Sequence, residues 1–309
     1  MATAVHEASA GIPTGEELIE RARAMIPTLK ARAAQATAQR RIPDETIAEM
    51  QAAGFFRILQ PKRWGGYEMH PNVFFEVQKL LAEGCMSTGW VYGVVGGHPY
   101  ELALFHNEAQ QEVWGENDAT LVSSSYQPVG KVERTEGGFY LSGQWGFSSG
   151  SEHCQWVLLG AMIPPAKEGD APDMRTFLVP RSDYEIKDTW HVFGLQGTGS
   201  QDILVNRAFV PEHRTHKAVD GFMCTNPGQV ENDAPFDVTL DGDQRGNSLP
   251  AIGSFFHRKV ADLRRALQRL RENRVGGVDE RLDQFHSHER CSPARATGAP
   301  AAAGSSLST

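Results

Sequence analysis

ATLVSSSYQPVG (119–130) and, after a Gly137-Gly138 turn, YLSGQWGFSSGSEHCQWVLLG (140–160) decide the fold of this chain. Both stretches carry the β-branched and aromatic residues of strands, with turn residues between them. Each ends in hydroxyls: Ser123, Ser124, Ser125 and Tyr126 in the first, Ser148 and Ser149 before Gly150 in the second. Trp145, Phe147 and Trp156 surround the second cluster. Small residues and hydroxyls at strand ends let the backbone approach a flat polar heterocycle, and aromatics can cover its apolar part. A flavin ring has these requirements. Alternation along a strand puts Ser148 on the face opposite Ser149, and it keeps the three serines of the first cluster from all facing one ligand.

Upstream of these strands, residues 14–115 read as helical. Glu16 to Arg40 is rich in Ala, Arg and Glu, all good helix formers. Pro43-Asp44 opens a second helix, with Ile47, Met50 and Ala53 at helical spacing and Gly54 where it stops. Pro71 opens a third, with Val73, Phe74, Val77, Leu80 and Leu81 on one face. Ser87 to Phe105 is apolar and glycine-rich and reads as a buried helix pair in close backbone contact. Asn107 is the expected N-cap of a helix ending near Trp114-Gly115. Downstream, short strand-like runs separated by turns continue to about residue 210. Helices followed by a run of strands give an α+β fold class. The expected organisation is an N-terminal helical domain over 1–117, a middle antiparallel β-barrel or sandwich domain over 118–220, and an atypical segment over 221–309. That last segment reads as an acidic stretch, one amphipathic helix (Phe256, Val260, Leu263, Leu267, Leu270) and a disordered tail.

Composition narrows the function. In 309 residues the net charge is −8, which argues against nucleic acid or an anionic membrane as the main partner. No run of about 18 apolar residues is present, and the N-terminus has no basic-then-apolar leader, so the expected location is cytoplasmic. Cys85, Cys154, Cys224 and Cys291 form no C-x-x-C pair, and no disulfide framework or zinc knuckle follows. No metal is expected. His213 and His216 lack further ligands nearby and read as surface histidines. Gly197-Thr198-Gly199-Ser200 lacks the Lys of a phosphate loop and reads as a tight turn between strands that could also reach the flavin of a neighbouring subunit.

With these residues in view, the chain resembles the acyl-CoA dehydrogenase superfamily. More narrowly, it resembles the flavin-dependent aromatic monooxygenases built on that fold, the p-hydroxyphenylacetate and seco-steroid phenol hydroxylase types. The resemblance runs in order through IPDET (42–46), GFFRILQPKRWGG (54–66), STGWV (87–91), SSSYQP (123–128), WGFSSG (145–150), GLQGTGS (194–200) and FVP (209–211). It implies the oxygenase component of a two-component system. A separate flavin reductase would supply reduced flavin (FMN or FAD), held non-covalently, and with O2 a phenolic small molecule would be hydroxylated. The family also implies a homo-oligomer, a tetramer, and a C-terminal four-helix bundle. Here the resemblance fades near Asn226, and the expectation is a chain whose bundle is largely missing, truncated or altered. Two alternatives stay open: an inactive, partly folded remnant of the family, and an acyl-CoA dehydrogenase.

The resemblance also assigns residues. It places the hydroxyl of Ser149 beside flavin N5, where it would support the oxygenated flavin, and makes Ser149 and His98 the catalytic pair. Ser124, Ser125, Tyr126, Trp145, Phe147, Ser149 and Gly150 are the expected flavin contacts. Trp90, His98 and Ser124 are the expected substrate contacts. An imidazole at His98 suits a phenol, because its pKa lies near neutrality.

Overall fold

The computed structural model describes residues 11–164, 173–223, 225–228 and 232. The expectations for an acidic stretch, an amphipathic helix and a disordered tail after residue 232 lie outside the described residues, as does Cys224.

Helix α1 (Gly15–Gln39) starts at Thr14 through a reciprocal cap. The Glu17 amide donates to Thr14 Oγ1 at 3.2 Å and the Thr14 amide donates to the Glu17 carboxylate at 2.7 Å. Two orphan donors of the first turn are thereby satisfied. The helix ends at Arg40, which turns left-handed (φ 55°). After α2 (Asp44–Ala52), Gly54 at φ +85° reverses the chain. Helix α3 (Pro71–Gly84) begins on a proline and buries Phe74, Val77, Leu80 and Leu81. Helices α4 (Met86–Val95) and α5 (His98–Leu102) follow almost without a break. Leu18, Leu29, Met50, Phe55, Leu81 and Tyr92 form the centre of the helical core, each essentially without solvent contact. Each large apolar side chain buried there contributes about 1.5–3 kcal/mol. Helix α6 (Asn107–Trp114) corrects one detail. His106 occupies the cap position, and Asn107 is the first helical residue. The Asn107 side chain is taken up elsewhere, because its Oδ1 accepts from Arg63 Nη1 at 2.8 Å.

The strands are β1 (Val122–Thr135), β2 (Gly138–Ser148), β3 (Trp156–Ile163), β4 (Asp173–Pro180), β5 (Glu185–Lys187), β6 (Gln201–Pro211) and β7 (Thr215–Lys217), with the short α7 (Ala218–Met223) after them. Their spatial order is β5-β6-β2-β1-β3-β4-β7. All neighbours are antiparallel except β1 and β3, which run parallel. The chain reverses twice, once into β2 and once out of it, so β3 returns in the direction of β1 and takes its free side. β1 serves both halves: Val122–Ser125 pairs with β3, Lys131–Thr135 pairs with β2, and the register slips between Ser125 and Gly130. Leu141, Trp145, Val157, Leu159, Phe177 and Ile203, from both halves, share one core. The opposite face, with Val122, Leu158 and Leu178, packs on Leu102, Phe105 and Trp114 of the helical part. No helix among the described residues is long and apolar enough to cross a membrane.

Trp145 belongs to this sheet core. Its ring is fully buried and its Nε1–H donates to the Gly160 carbonyl at 2.8 Å. Trp145→Phe should destabilise the protein by about 2–4 kcal/mol, from lost volume and an unpaired carbonyl, with flavin affinity unchanged. Chemical denaturation alongside a flavin titration checks both halves of that statement.

His153, in the turn between β2 and β3, is held by the helical part. Its Nδ1 lies 3.3 Å from Arg41 Nη2 and 3.2 Å from Asp44 Oδ1, and the side chain is only 4% exposed. Burial, and then the Arg41 charge, push its pKa down to about 4, with Asp44 opposing. The unfolded chain therefore takes up this proton at a pH where the folded chain refuses it. Stability tied to His153 is complete above about pH 6.5 and is lost as the pH falls towards 4. Unfolding free energies at pH 7 and pH 4.5 should differ by roughly 2–3 kcal/mol less in His153→Gln than in the parent chain. An unaltered pH profile would remove His153 from that linkage.

Candidate functional site

The tip of β2 departs from regular strand geometry. Phe147 adopts φ +65°, the pairing with β6 slips between Trp145 and Ser148, and the Ser149 amide turns back to the Phe147 carbonyl at 3.0 Å. Alternation therefore fails at this point. Ser148 and Ser149 are both buried, but only Ser149 finds a hydroxyl partner; Ser148 Oγ has none among the described residues. Gly150 follows in the left-handed region (φ +70°), and a Cβ there would sit 2.8 Å from Val91 Cγ1. Only glycine lets α4 close on this tip. The Gly150 amide donates to the Thr198 carbonyl at 2.9 Å.

Ser149 Oγ lies in a line of polar groups. Trp90 Nε1–H donates to it at 3.1 Å, and it sits 2.7 Å from Ser200 Oγ. Ser200 Oγ sits 2.7 Å from Thr198 Oγ1, and Thr198 donates to the Leu195 carbonyl at 2.9 Å. Thr198 and Ser200 come from the turn read in the sequence as a tight turn that could also reach the flavin of a neighbouring subunit. Nothing in GTGS by itself signals that two of its hydroxyls aim at a strand tip some 50 positions earlier. Exposed aromatics flank the line: Trp90 is 49% exposed and Phe147 is 65% exposed, the latter edge-on to Trp190 at 5.7 Å.

His98 anchors a second network. Both of its ring nitrogens are engaged, Nδ1 with the Val122 carbonyl at 2.7 Å and Nε2 with Ser124 Oγ at 2.9 Å. A carbonyl can only accept, so Nδ1 carries the hydrogen and Nε2 accepts from Ser124 in the neutral ring. Burial lowers the His98 pKa, against the pull of Glu101 and of the Val122 carbonyl, which keeps the ring neutral. The Tyr126 hydroxyl donates to Glu101 Oε2, and Glu101 Oε1 lies 3.0 Å from His216 Nε2. Burial acts to raise the Glu101 pKa, but the His216 hydrogen bond and the histidine charges outweigh it and hold the carboxyl below the usual carboxylate range. Burial, then the Glu101 charge, raise the Tyr126 hydroxyl well above the usual phenol range.

His216 is thus not a surface residue. Strand β7 pairs with β4 at Thr176↔His216, and the imidazole packs edge-on to Phe105 at 4.7 Å. His213 stays nearer the surface, with Nε2 3.0 Å from Glu112 Oε1. Glu101 could not have been singled out from the sequence, because its partners come from β1 and β7.

The two networks are joined through β1 and β2 and through α4 and α5. Ser125 Oγ donates to the Gly146 carbonyl at 2.7 Å and ties the hydroxyl end of β1 to the tip of β2. Helices α4 and α5 run from Trp90, at Ser149, to His98, at Ser124. Of the expected residues, Trp90, His98, Ser124, Ser125, Tyr126, Phe147, Ser149 and Gly150 gather along this seam, while the Trp145 ring points into the sheet core. Hydroxyl groups between exposed aromatic faces suit a planar ring with a polar edge, so the residues present fit a flavin.

Residues 13–119 match the family described as acyl-CoA dehydrogenase, N-terminal domain. The chain is 43% identical over 219 residues to the oxygenase subunit HsaA, a flavin-dependent monooxygenase of Rhodococcus jostii (strain RHA1), covering 70% of this chain and 56% of that protein. It is 39% identical over 211 residues to the oxygenase component of the FADH(2)-dependent resorcinol hydroxylase of Rhizobium sp. (strain MTP-10005), covering 68% and 51% respectively. The crystal structure of the HsaA monooxygenase from M. tuberculosis superposes with a TM-score of 0.70 at 42% identity, covering 72% of this chain and 61% of that one. The chain thus spans about half the length of the curated relatives it matches.

Proposed function

We propose that this chain, which belongs to the acyl-CoA dehydrogenase superfamily, acts in the manner of its flavin-dependent monooxygenase relatives as an oxygenase component that hydroxylates a phenol. In this reading a partner reductase supplies reduced FMN or FAD, bound non-covalently along the β1–β2 seam with its N5 edge at Ser149. When bound, the reduced flavin supplies the reaction with O2 and the oxygen atom to be transferred. The observation that carries the proposal is the pairing of two buried networks at one seam: a hydroxyl line at Ser149 and a neutral His98–Ser124 dyad.

The dyad sets the substrate chemistry. Since His98 Nε2 is occupied by the Ser124 hydroxyl, the phenol meets Ser124 rather than the imidazole itself. Its proton passes to Ser124 Oγ as the Ser124 proton passes to His98 Nε2. The imidazolium so formed keeps its Nδ1–H on the Val122 carbonyl and feels the nearby Glu101 carboxylate, which favours its charge. The resulting phenolate is the electron-rich ring that accepts oxygen. Ser124 and His98 are the catalytic residues of this step, and Glu101 supports it through charge. The exposed faces of Trp90 and Phe147 provide apolar cover that keeps water from the reacting atoms. An acyl-CoA dehydrogenase instead needs a carboxylate base at the substrate; among the described residues, the Glu101 carboxylate at this seam is tied to His216 and Tyr126.

The test mixes the full chain with reduced FMN or FAD, O2 and a simple phenol such as resorcinol, and measures product against flavin oxidised. Hydroxylated phenol is expected from the parent chain. Ser124→Ala and His98→Ala should each lower product formation about 100-fold or more while altering reduced-flavin affinity less than about threefold. Equal loss of flavin binding and turnover would reduce the dyad to a packing element, and flavin oxidation yielding no hydroxylated phenol from the parent chain would overturn the assignment.

A further inference from the structure

Glu101 stands three residues after His98 on α5, and its side chain is 21% exposed. Its hydrogen-bond partners come from two strands. The Tyr126 hydroxyl of β1 donates to Oε2, and His216 Nε2 of β7 lies 3.0 Å from Oε1. A carboxylate can only accept, so His216 Nε2 carries a hydrogen. The His216 side chain is 7% exposed. It is fixed in place by the pairing of β7 with β4 at Thr176 and by the ring of Phe105 edge-on at 4.7 Å.

A carboxylate taken out of water gives up its charge unless a partner stabilises it. Among the described residues, the titratable groups acting on Glu101 are His216 of β7, His98 of α5 and Tyr126 of β1. Tyr126 offers a hydrogen bond and no positive charge. His98 is the base of the dyad and starts neutral, with Ser124 on its Nε2. That leaves His216 as the one of the three that can both donate to the carboxylate and balance its charge.

We infer that His216 is a positioning residue for the His98–Ser124 dyad: it is the partner that lets the Glu101 carboxylate stand ionised beside His98, and it acts on the dyad only through Glu101. This rests on the reading that the dyad takes up the phenol proton. The Glu101 charge favours the imidazolium formed in that step. Without His216, burial favours the protonated carboxyl, and a neutral carboxyl gives the imidazolium no support.

The experiment titrates the His98 ring in the full chain by NMR with labelled histidine, its signal assigned through His98→Gln. The parent, Glu101→Gln, His216→Phe and the double variant are compared. Hydroxylation of resorcinol with reduced FMN and O2 is measured in parallel between about pH 6 and 9. Glu101→Gln should lower the His98 midpoint by about one pH unit, and His216→Phe should lower it about as far. In the double variant the fall should be no larger than in Glu101→Gln alone. Product formation by His216→Phe should drop about tenfold at neutral pH and recover as the pH rises and Glu101 ionises again; in Glu101→Gln it should stay low throughout. A merely structural role for His216 would lower product alike at every pH.

If His216→Phe does not fold, His216→Gln, which keeps a donor but can carry no charge, takes its place with a smaller shift of the same sign. A His98 midpoint unchanged or raised on replacing His216, or a fall that adds to that of Glu101→Gln, overturns the inference. A parent chain that yields no hydroxylated phenol overturns the reading of the function, and the His98 midpoint still decides the pairing.

Discussion

The hydrogen bond from the Gly150 amide to the Thr198 carbonyl, 2.9 Å long, is the tie on which the seam depends. It joins the tip of β2 to a turn 48 residues further on, and that turn is pressed against the helical part. A Cβ on Gly197 would lie 3.0 Å from Ala36 Cβ and 3.1 Å from Ser87 Cβ, so the turn reaches its place only without one. With the turn seated, Thr198 and Ser200 are delivered to Ser149. With Gly150 left-handed, Val91 and Val95 of α4 close over the tip, and Trp90 arrives with them.

The two networks at the seam do different things with the same kind of group. At Ser124 a hydroxyl hydrogen is donated to a neutral imidazole, which leaves the oxygen free to accept. At Ser149 the oxygen accepts from Trp90 Nε1–H and shares a hydrogen with Ser200, in a line that ends on the Leu195 carbonyl, which also accepts from Trp190 Nε1 and the Thr198 amide. The difference lies in the terminal acceptor. His98 can become charged, with Glu101 close by to favour it, whereas the Leu195 carbonyl cannot. One hydroxyl thus neighbours a group that can take up a proton, and the other belongs to a line that ends on a group that cannot.

Much of this was legible in the sequence. Proline and glycine punctuation marked α2, α3 and the reversal at Gly54, and apolar spacing named the buried face of α3. The hydroxyl clusters at 123–126 and 148–149 pointed to the seam. The losses have physical causes. The parallel pairing of β1 and β3 follows from which side of β1 was free, a matter of long-range topology. Trp145 was read as ligand cover because it stands two residues from Phe147, but the bulge at Phe147 turns neighbouring side chains to different regions. His216 looked like a surface histidine because its partners, Glu101 and Phe105, lie over 100 positions away. The reach of Thr198 and Ser200 to Ser149 was hidden for the same reason: a hydrogen-bond line has no sequence period.

The central claim is that the hydroxyl ends of β1 and β2 and the 196–200 turn form one flavin site. Amide hydrogen exchange of the full chain, with and without reduced FMN under anaerobic conditions, tests it most directly. The account predicts that added protection concentrates in residues 122–126, 146–150 and 196–200 together, with little change in β4 and β7. Protection confined to another surface, or none in these three segments while flavin is bound, would contradict it.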